Sequence, residues 1–199
     1  MQQRVDGTRI GELQGVVAAA LAEARRLGAT EAEVDANLQQ GLTVNVRLGE
    51  VDTVEYQRDR GIGVTVYVGR RKGSASTADL SPAAVDATVA KACTIARYTA
   101  EDPYSGLADP AALATLIPDL DLDHPWNIEP ADAVELARRC EAAGRVVDAR
   151  ITNSEGAGVS THRGVHVYGN SLGFLAGFAS SSHSVSCALV AQAGGDMQR

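Results

Sequence analysis

The sequence predicts an α+β protein: antiparallel sheets with flanking helices, arranged as two α+β units joined by a proline-rich connector. Three observations predict it. Apolar and polar side chains alternate through residues 32–39, 42–48, 62–68 and again beyond Ile151, the period of half-buried strands. Short turns separate these runs, and short connections favour antiparallel neighbours because a parallel return needs a long crossover. Five of the six prolines (Pro103, Pro110, Pro118, Pro125, Pro130) fall between Tyr98 and Ala131, and a stretch so interrupted carries neither a long helix nor a central strand. The expected division is a first unit over residues 1–100, a connector over 101–130 and a second unit over 131–199.

Each element has its own signal. Ile10, Leu13, Val17, Leu21, Ala24 and Leu27 recur at helical spacing, and Gly28 is placed to end that helix. Ala32, Val34, Ala36 and Leu38 then alternate with Glu33, Asp35, Asn37 and Gln39, a strand with one wet face. Gln40-Gly41 reads as a turn into 42–48, Gly49-Glu50 as a turn into 51–58, and Asp59-Arg60-Gly61 as the approach to Ile62, Val64, Val66 and Val68. Residues 69–73 are turn chemistry, and Arg70-Arg71-Lys72 reads as a solvated hairpin tip. After the return run at Ser74, Ser76 and Thr77, Ser81-Pro82 has the form of a hydroxyl N-cap with proline at the first helical position. Val85, Val89, Ala92 and Ala96 mark the buried face of the helix that follows.

In the connector, Asp119, Asp121 and Asp123 alternate with Leu120 and Leu122, as at the start of a calcium loop. The match fails where it matters: His124 stands where the loop needs glycine, and Pro130 where it needs a bidentate Glu. An extended segment with its leucines turned inward is expected instead. Pro130 opens another helix, with Ala133, Leu136, Cys140, Ala143 and Val147 as its buried face and Asp132 at the positive end of its dipole. Strands are expected at 151–161, 165–170, 174–181 and 183–191, with the intervening glycines as turns or bulges. The run Gly194-Gly195-Asp196-Met197 is a hairpin signal with no return strand expected after it, which suggests the N-terminal piece of a longer protein.

Composition narrows the function classes. The chain has 199 residues, 45% hydrophobic and 22% charged, which is ordinary for a globular protein. Aromatics make up 4%, so the core has to be built from Ala, Val and Leu. A net charge of −7 and a pI near 5.1 argue against direct nucleic-acid binding. Neither a signal-peptide core nor a membrane-length apolar run is present, so a cytoplasmic location is expected. Cys93, Cys140 and Cys187 are far apart and form no CxxC, so each is expected to be a small buried apolar residue.

Residue chemistry offers no catalytic, metal-binding or cofactor-binding residue. None of the four histidines, His124, His162, His166 and His183, is followed by Glu, so no HExxH-type zinc motif exists. His162 and His166 would lie on one face of an unbroken strand about 13 Å apart, too far to share an ion, and His183 and Cys187 have the same spacing. The serines at 180–182 and 184 lack a G-x-S-x-G elbow. Gly61-Ile62-Gly63 is followed by a strand, so a phosphate would find no helix N-terminus there.

Longer strings carry a resemblance. GEVDTVEYQRDRGIGVTVYVGRRKGSASTADLSP from Gly49, IARYTAEDPYSGLAD, PDLDLDHP, RITNSEG and GVHVYGNSLGF resemble, in order, the N-terminal half of the TldE (PmbA) branch of the TldD/TldE family, the modulators of DNA gyrase. RKGSAST, PDLDLDHP and the closing GGDM resemble TldE more than TldD. The resemblance implies a cytoplasmic metallopeptidase assembly in which TldD and TldE pair as a heterodimer around a chamber. TldD would supply the zinc through an HExxxH helix, and this TldE-type chain would be non-catalytic. It further implies extended or unfolded peptides as substrates, in antitoxin turnover and microcin maturation. No family catalytic residue maps onto this sequence. A TldD-like homodimeric metalloprotease and a non-enzymatic peptide-binding module are the alternatives.

Overall fold

The computed structural model describes residues 2–199. In chain order these form α1 (Gln2–Arg26), β1 (Glu31–Arg47), β2 (Glu50–Val68), β3 (Arg71–Thr77), α2 (Pro82–Tyr98), one 3-10 turn (Pro110–Ala112), α3 (Pro130–Arg145), β4 (Ile151–Asn170), β5 (Leu175–Ala193) and β6 (Asp196–Gln198). The strands make one sheet in the order β3-β2-β1-β4-β5-β6. The β2–β3 and β5–β6 pairs are antiparallel, with Val66 opposite Gly73 and Gln192 opposite Met197. The fold is α+β with flanking helices, as expected.

The strands are longer than the expected pieces. Gly41 does not turn the chain; it sits inside β1 because a Cβ there would lie 2.2 Å from Nδ1 of His162. Gly164 does not divide β4 either, since its added Cβ would stand 2.9 Å from the Leu38 carbonyl oxygen. These glycines mark close approach between neighbouring strands rather than breaks. The real turns are at Leu48-Gly49 (φ 53° and 83°), Gly69, Gly173 and Gly194. The last of these does have a return, the short β6, contrary to expectation. At α2 the expected hydroxyl cap is absent: Ser81 makes no side-chain cap bond, and its N–H instead donates to Asp79 Oδ1 at 2.9 Å. Pro82 with its fixed φ is left to start the helix.

Compactness divides the chain into two units, Met1–Gln39 with Asp59–Leu122 and Gly164–Ala179, and Gln40–Arg58 with Asp123–Arg163 and Ser180–Arg199. Neither is continuous in sequence. β1, β2, β4 and β5 each give one end to each unit.

In the first unit α1 and α2 cover the apolar face of the sheet. Val17, Ala20 and Ala24 of α1 and Val89, Ala92 and Cys93 of α2 meet Val34, Ala36, Ile62, Val64, Val66 and Val167. Small side chains bring the helices close. At Gly73 of β3 an added Cβ would lie 2.2 Å from the Ala92 carbonyl oxygen and 2.4 Å from the Ala96 nitrogen of α2. Backbone of a packed helix cannot move aside as a flexible side chain could. The hairpin tip is not simply solvated: Arg70 donates to the Ser105 carbonyl at 2.9 Å, and Arg71 pairs with Glu101 at 3.3 Å.

In the second unit α3 lies over Leu42, Val44, Val46, Ala157 and Val159, with Trp126 and Ile128 at the margin. Its buried stripe is Ala133, Ala137 and Glu141 rather than the expected run through Ala143 and Val147. The helix ends at Arg145, and Val147 is 77% exposed. Glu141 is only 1% exposed and is fully engaged. Its carboxylate accepts the N–H groups of Leu48 and Gly49, each at 2.8 Å, and the Ser154 hydroxyl. Leu48 is a non-glycine residue in the left-handed region, a conformation that costs roughly 1–2 kcal/mol. A buried carboxylate on α3 therefore holds the β1–β2 turn. Burial alone would raise the Glu141 pKa, but the bonds from Ser154, Leu48 and Gly49, with the charge of Arg145, bring it below its ordinary value. The connector leucines are not turned inward: Leu120 is 65% and Leu122 43% exposed, while Asp123 at the end of that run pairs with Arg163 of β4.

Two outcomes follow from this packing. Gly73→Ala should destabilise the protein by about 2–3 kcal/mol or more through overpacking against α2, measured as a lower urea midpoint, while Gly195→Ala, with open space around it, should be tolerated. Glu141→Ala should cost about 3 kcal/mol, because it orphans two backbone donors and a hydroxyl at a buried site. Since the folded-state pKa of Glu141 lies below the unfolded value of 4.5, its contribution is complete above that pH and is lost as pH falls through the folded value. The stability gap between wild type and Glu141→Gln should accordingly close on acidification from about pH 4.5 downward, read from melting curves across pH.

Candidate functional site

The side of the first unit's strands away from α1 and α2 is polar. Alternation puts Glu33, Asp35 and Asn37 of β1 there, opposite in direction to Val34 and Ala36. On β2 the neighbours are Gly61, Gly63, Thr65 and Tyr67, and on β3 they are Ser74 and Ser76, with Thr65 Oγ1 and Ser74 Oγ 2.9 Å apart. The glycines leave room for the β1 side chains: a Cβ on Gly63 would lie 2.6 Å from Asp35 Oδ1. Asp35, Asn37, Arg60, Gly63 and Ser76 line an open cleft of about 480 Å³ on this side.

Beside it sits the best-organised polar group of the unit. The Tyr67 hydroxyl donates to Glu33 Oε1 at 2.9 Å, and the Tyr168 hydroxyl donates to Glu33 Oε2 at 3.0 Å. One carboxylate so joins β1 to β2 and to β4. Burial, followed by the hydrogen bond and negative charge of Glu33, pushes the Tyr67 phenol up to about 12. Burial likewise raises Tyr168, with Glu33 adding to it and a bond with Asn170 opposing it. Both phenols stay protonated at neutral pH and act as fixed hydrogen-bond donors to Glu33. Glu31 also takes part in local order, accepting the Leu107 N–H at 2.9 Å.

The four histidines are not brought together. His162 lies over Gly41, and His166 packs against Phe178 with ring centroids 5.7 Å apart. His183 holds the end of the connector: Nε2 donates to the His124 carbonyl at 2.8 Å, Nδ1 meets Thr161 Oγ1 at 2.9 Å, and Trp126 packs on the ring edge-on. The His124 N–H donates to Ser181 Oγ at 2.8 Å. Arg163 closes the same seam with a two-point bond to Asp123, 2.8 Å from Nε to Oδ1. That bond, ahead of the opposing effect of burial, lowers the Asp123 pKa. No three His, Cys, Asp or Glu side chains among the described residues are grouped to hold a metal ion.

Glu33, Tyr67 and Tyr168 went unnoticed in the sequence. Alternation places Glu33 on the wet side, but its partners lie on strands 34 and 135 residues away, and cross-strand register is not written in either segment. Glu141 was missed because a carboxylate among helix residues reads as solvated. The cysteines were expected to be buried alike; Cys93 is, but Cys140 is half-buried and Cys187 exposed.

Comparison with known proteins accords with this architecture. Residues 32–96 match the family model described as PmbA/TldA metallopeptidase domain 1, and residues 123–199 match the PmbA/TldA metallopeptidase central domain. The chain is 49% identical over 168 residues to the metalloprotease PmbA of Escherichia coli, covering 84% of this chain and 37% of that protein. It is 44% identical over 179 residues to a metalloprotease PmbA homolog of Haemophilus influenzae, covering 90% and 40%. The chain thus spans about two-fifths of the length of these relatives. Among solved structures, a modulator of DNA gyrase from Bacteroides thetaiotaomicron superposes with a TM-score of 0.82 at 23% identity, over 92% of this chain and 42% of that one. TldE from Thermococcus kodakarensis superposes with a TM-score of 0.71 at 15% identity, over 92% and 41%; both likenesses concern the fold. With two successive domain models of one family matched in order across most of its length, the chain belongs to the PmbA/TldA metallopeptidase family.

Proposed function

We propose that the chain forms the N-terminal part of a TldE-type, non-catalytic subunit that works with a TldD-type zinc-bearing partner in the cytoplasm on extended or unfolded peptides. The 49% identity to PmbA over most of the chain carries this reading. The chemistry of the residues supports it. The sequence holds no His-Glu pair, the described residues group no metal ligands, and the phenols of the best-ordered polar group are donors locked by Glu33. What such a surface offers a peptide is shape and hydrogen bonding, from the Asp35 and Asn37 side chains that lie over Gly63 and Gly61. Among the described residues no helix is long and apolar enough to cross a membrane.

The experiment is reconstitution of the longer protein with and without a TldD homologue. The two are expected to co-purify, and peptidase activity on an unfolded casein substrate should need both. It should vanish when the zinc ligands of the TldD partner are replaced. Activity of the longer protein alone, with TldD rigorously removed, would overturn the non-catalytic role in favour of a self-sufficient metalloprotease. Peptide binding without activity in any combination would favour a binding module.

A further inference from the structure

The second unit has an open sheet edge. β3 pairs with β2 only from Ile62 to Val68. The stretch of β2 from Glu50 to Arg58 therefore has β1 on one side and, among the described residues, no strand on the other. Such an edge presents unpaired N–H and C=O groups to any strand that comes alongside. Asn45 Nδ2 donates to Thr53 Oγ1 at 2.9 Å, which puts Thr53 on the face of Asn45, away from Val44 and Val46 beneath α3. Alternation then places Asp52, Val54, Tyr56 and Arg58 on the α3 side of the sheet. α3 covers Val44 and Val46 but leaves this strand bare: Val54 is 43% and Tyr56 71% exposed, and Asp52 and Arg58 are exposed with them.

The order of these four residues is self-complementary. When two copies lie antiparallel and centred on Glu55, Val54 falls opposite Tyr56 and Asp52 opposite Arg58, and the two-fold repeats both matches. Opposed residues of an antiparallel pair share a face, so two apolar pairs beside the axis are flanked by an ion pair at either end. A slip of one residue would set this face against the other. A slip of two would put Tyr56 opposite Asp52, or Val54 opposite Arg58. Charges on an edge ordinarily guard it against a second copy, whereas here the opposite signs at 52 and 58 attract one. Glu55 alone is at odds with the match, since on the other face it meets its own copy at the axis.

We infer that this edge is a homodimer interface, in which two copies of the chain pair β2 to β2, antiparallel about Glu55. The pairing concerns copies of this chain and is independent of the peptidase reading. A standard stable interface buries roughly 1,600 Å², and one pair of short strands buries less, so the dimer is weak and depends on concentration. Its exposed ion pairs make it sensitive to salt.

The test is sedimentation velocity of the chain over a concentration series reaching the millimolar range, at low and high salt. Wild type should pass from monomer to dimer as concentration rises, and less readily in high salt. Asp52→Arg and Arg58→Asp should each weaken the dimer by about tenfold or more, since each sets like charges opposite one another twice across the axis. An equimolar mixture of the two variants should dimerise as wild type does, because each then meets the opposite sign at both positions. Glu55→Gln, which removes the like charges at the axis, should tighten the dimer. The inference is overturned if wild type stays monomeric throughout, if either charge variant dimerises as wild type does, or if the mixture stays monomeric. Two variants that had merely lost their fold could not restore one another, so recovery in the mixture reads the pairing itself.

Discussion

Each of the three helices meets the sheet at a glycine, and the rest of the structure depends on that close approach. α2 rests on Gly73, where any Cβ would strike the Ala92 carbonyl; α1 rests on Gly169 and Gly177, beside Val17, Leu21 and Ile10; and α3 brings its own Gly144 against Leu189. With aromatics at 4% of residues, the core has few large side chains to span a wide gap between layers. Alanine and valine fill a gap only if the backbones are drawn together. The glycines make that distance possible, and the buried alanines Ala20, Ala24, Ala36, Ala92 and Ala96 use it. The cost is the conformational freedom that glycine loses on folding, which tight packing of the layers has to offset.

The same constraint explains which parts of the fold were legible in the sequence. Helix phase in α1 and α2 could be read because their buried stripes are almost wholly apolar, as at Val85, Val89, Ala92 and Ala96, with Thr88 the buried polar exception in α2. Strand faces could be read because Val34 and Val64 alternate with polar residues. Strand ends could not. A glycine that permits a neighbouring strand or side chain to approach, such as Gly41 beneath His162, carries the same letter as a glycine that turns the chain. Only the partner, over a hundred residues later in sequence, distinguishes the two. The α3 stripe was misread for a related reason: Glu141 is buried by what it binds, the Leu48 and Gly49 amides, not by its own hydrophobicity.

Polar chemistry was the least legible layer because every important polar contact joins distant segments. Glu33 joins β1 to β2 and β4, and His183 ties β5 to the end of the connector. Arg163 holds Asp123 across 40 residues. From residue types alone, His183 invites a catalytic or metal reading. In the structure both of its ring nitrogens are used locally, and the edge-on Trp126 occupies its flank. The apparent calcium-loop aspartates resolve in the same way, since Asp123 serves a guanidinium.

Glu33 shows what such bridging does for a surface. A carboxylate on an open sheet face would ordinarily rotate among solvent-facing rotamers, and binding anything to it would mean first freezing that motion. Two phenol donors on flanking strands fix both of its oxygens in advance. Deprotonation of either phenol would place a second negative charge against the carboxylate in a partly buried setting, and the raised Tyr67 pKa measures the resistance to that. Both phenols therefore stay protonated across the neutral range. Beside them, Gly61 and Gly63 leave the room that the Asn37 and Asp35 side chains of β1 occupy. Fixed donors and acceptors next to these side chains hold the polar face in one arrangement.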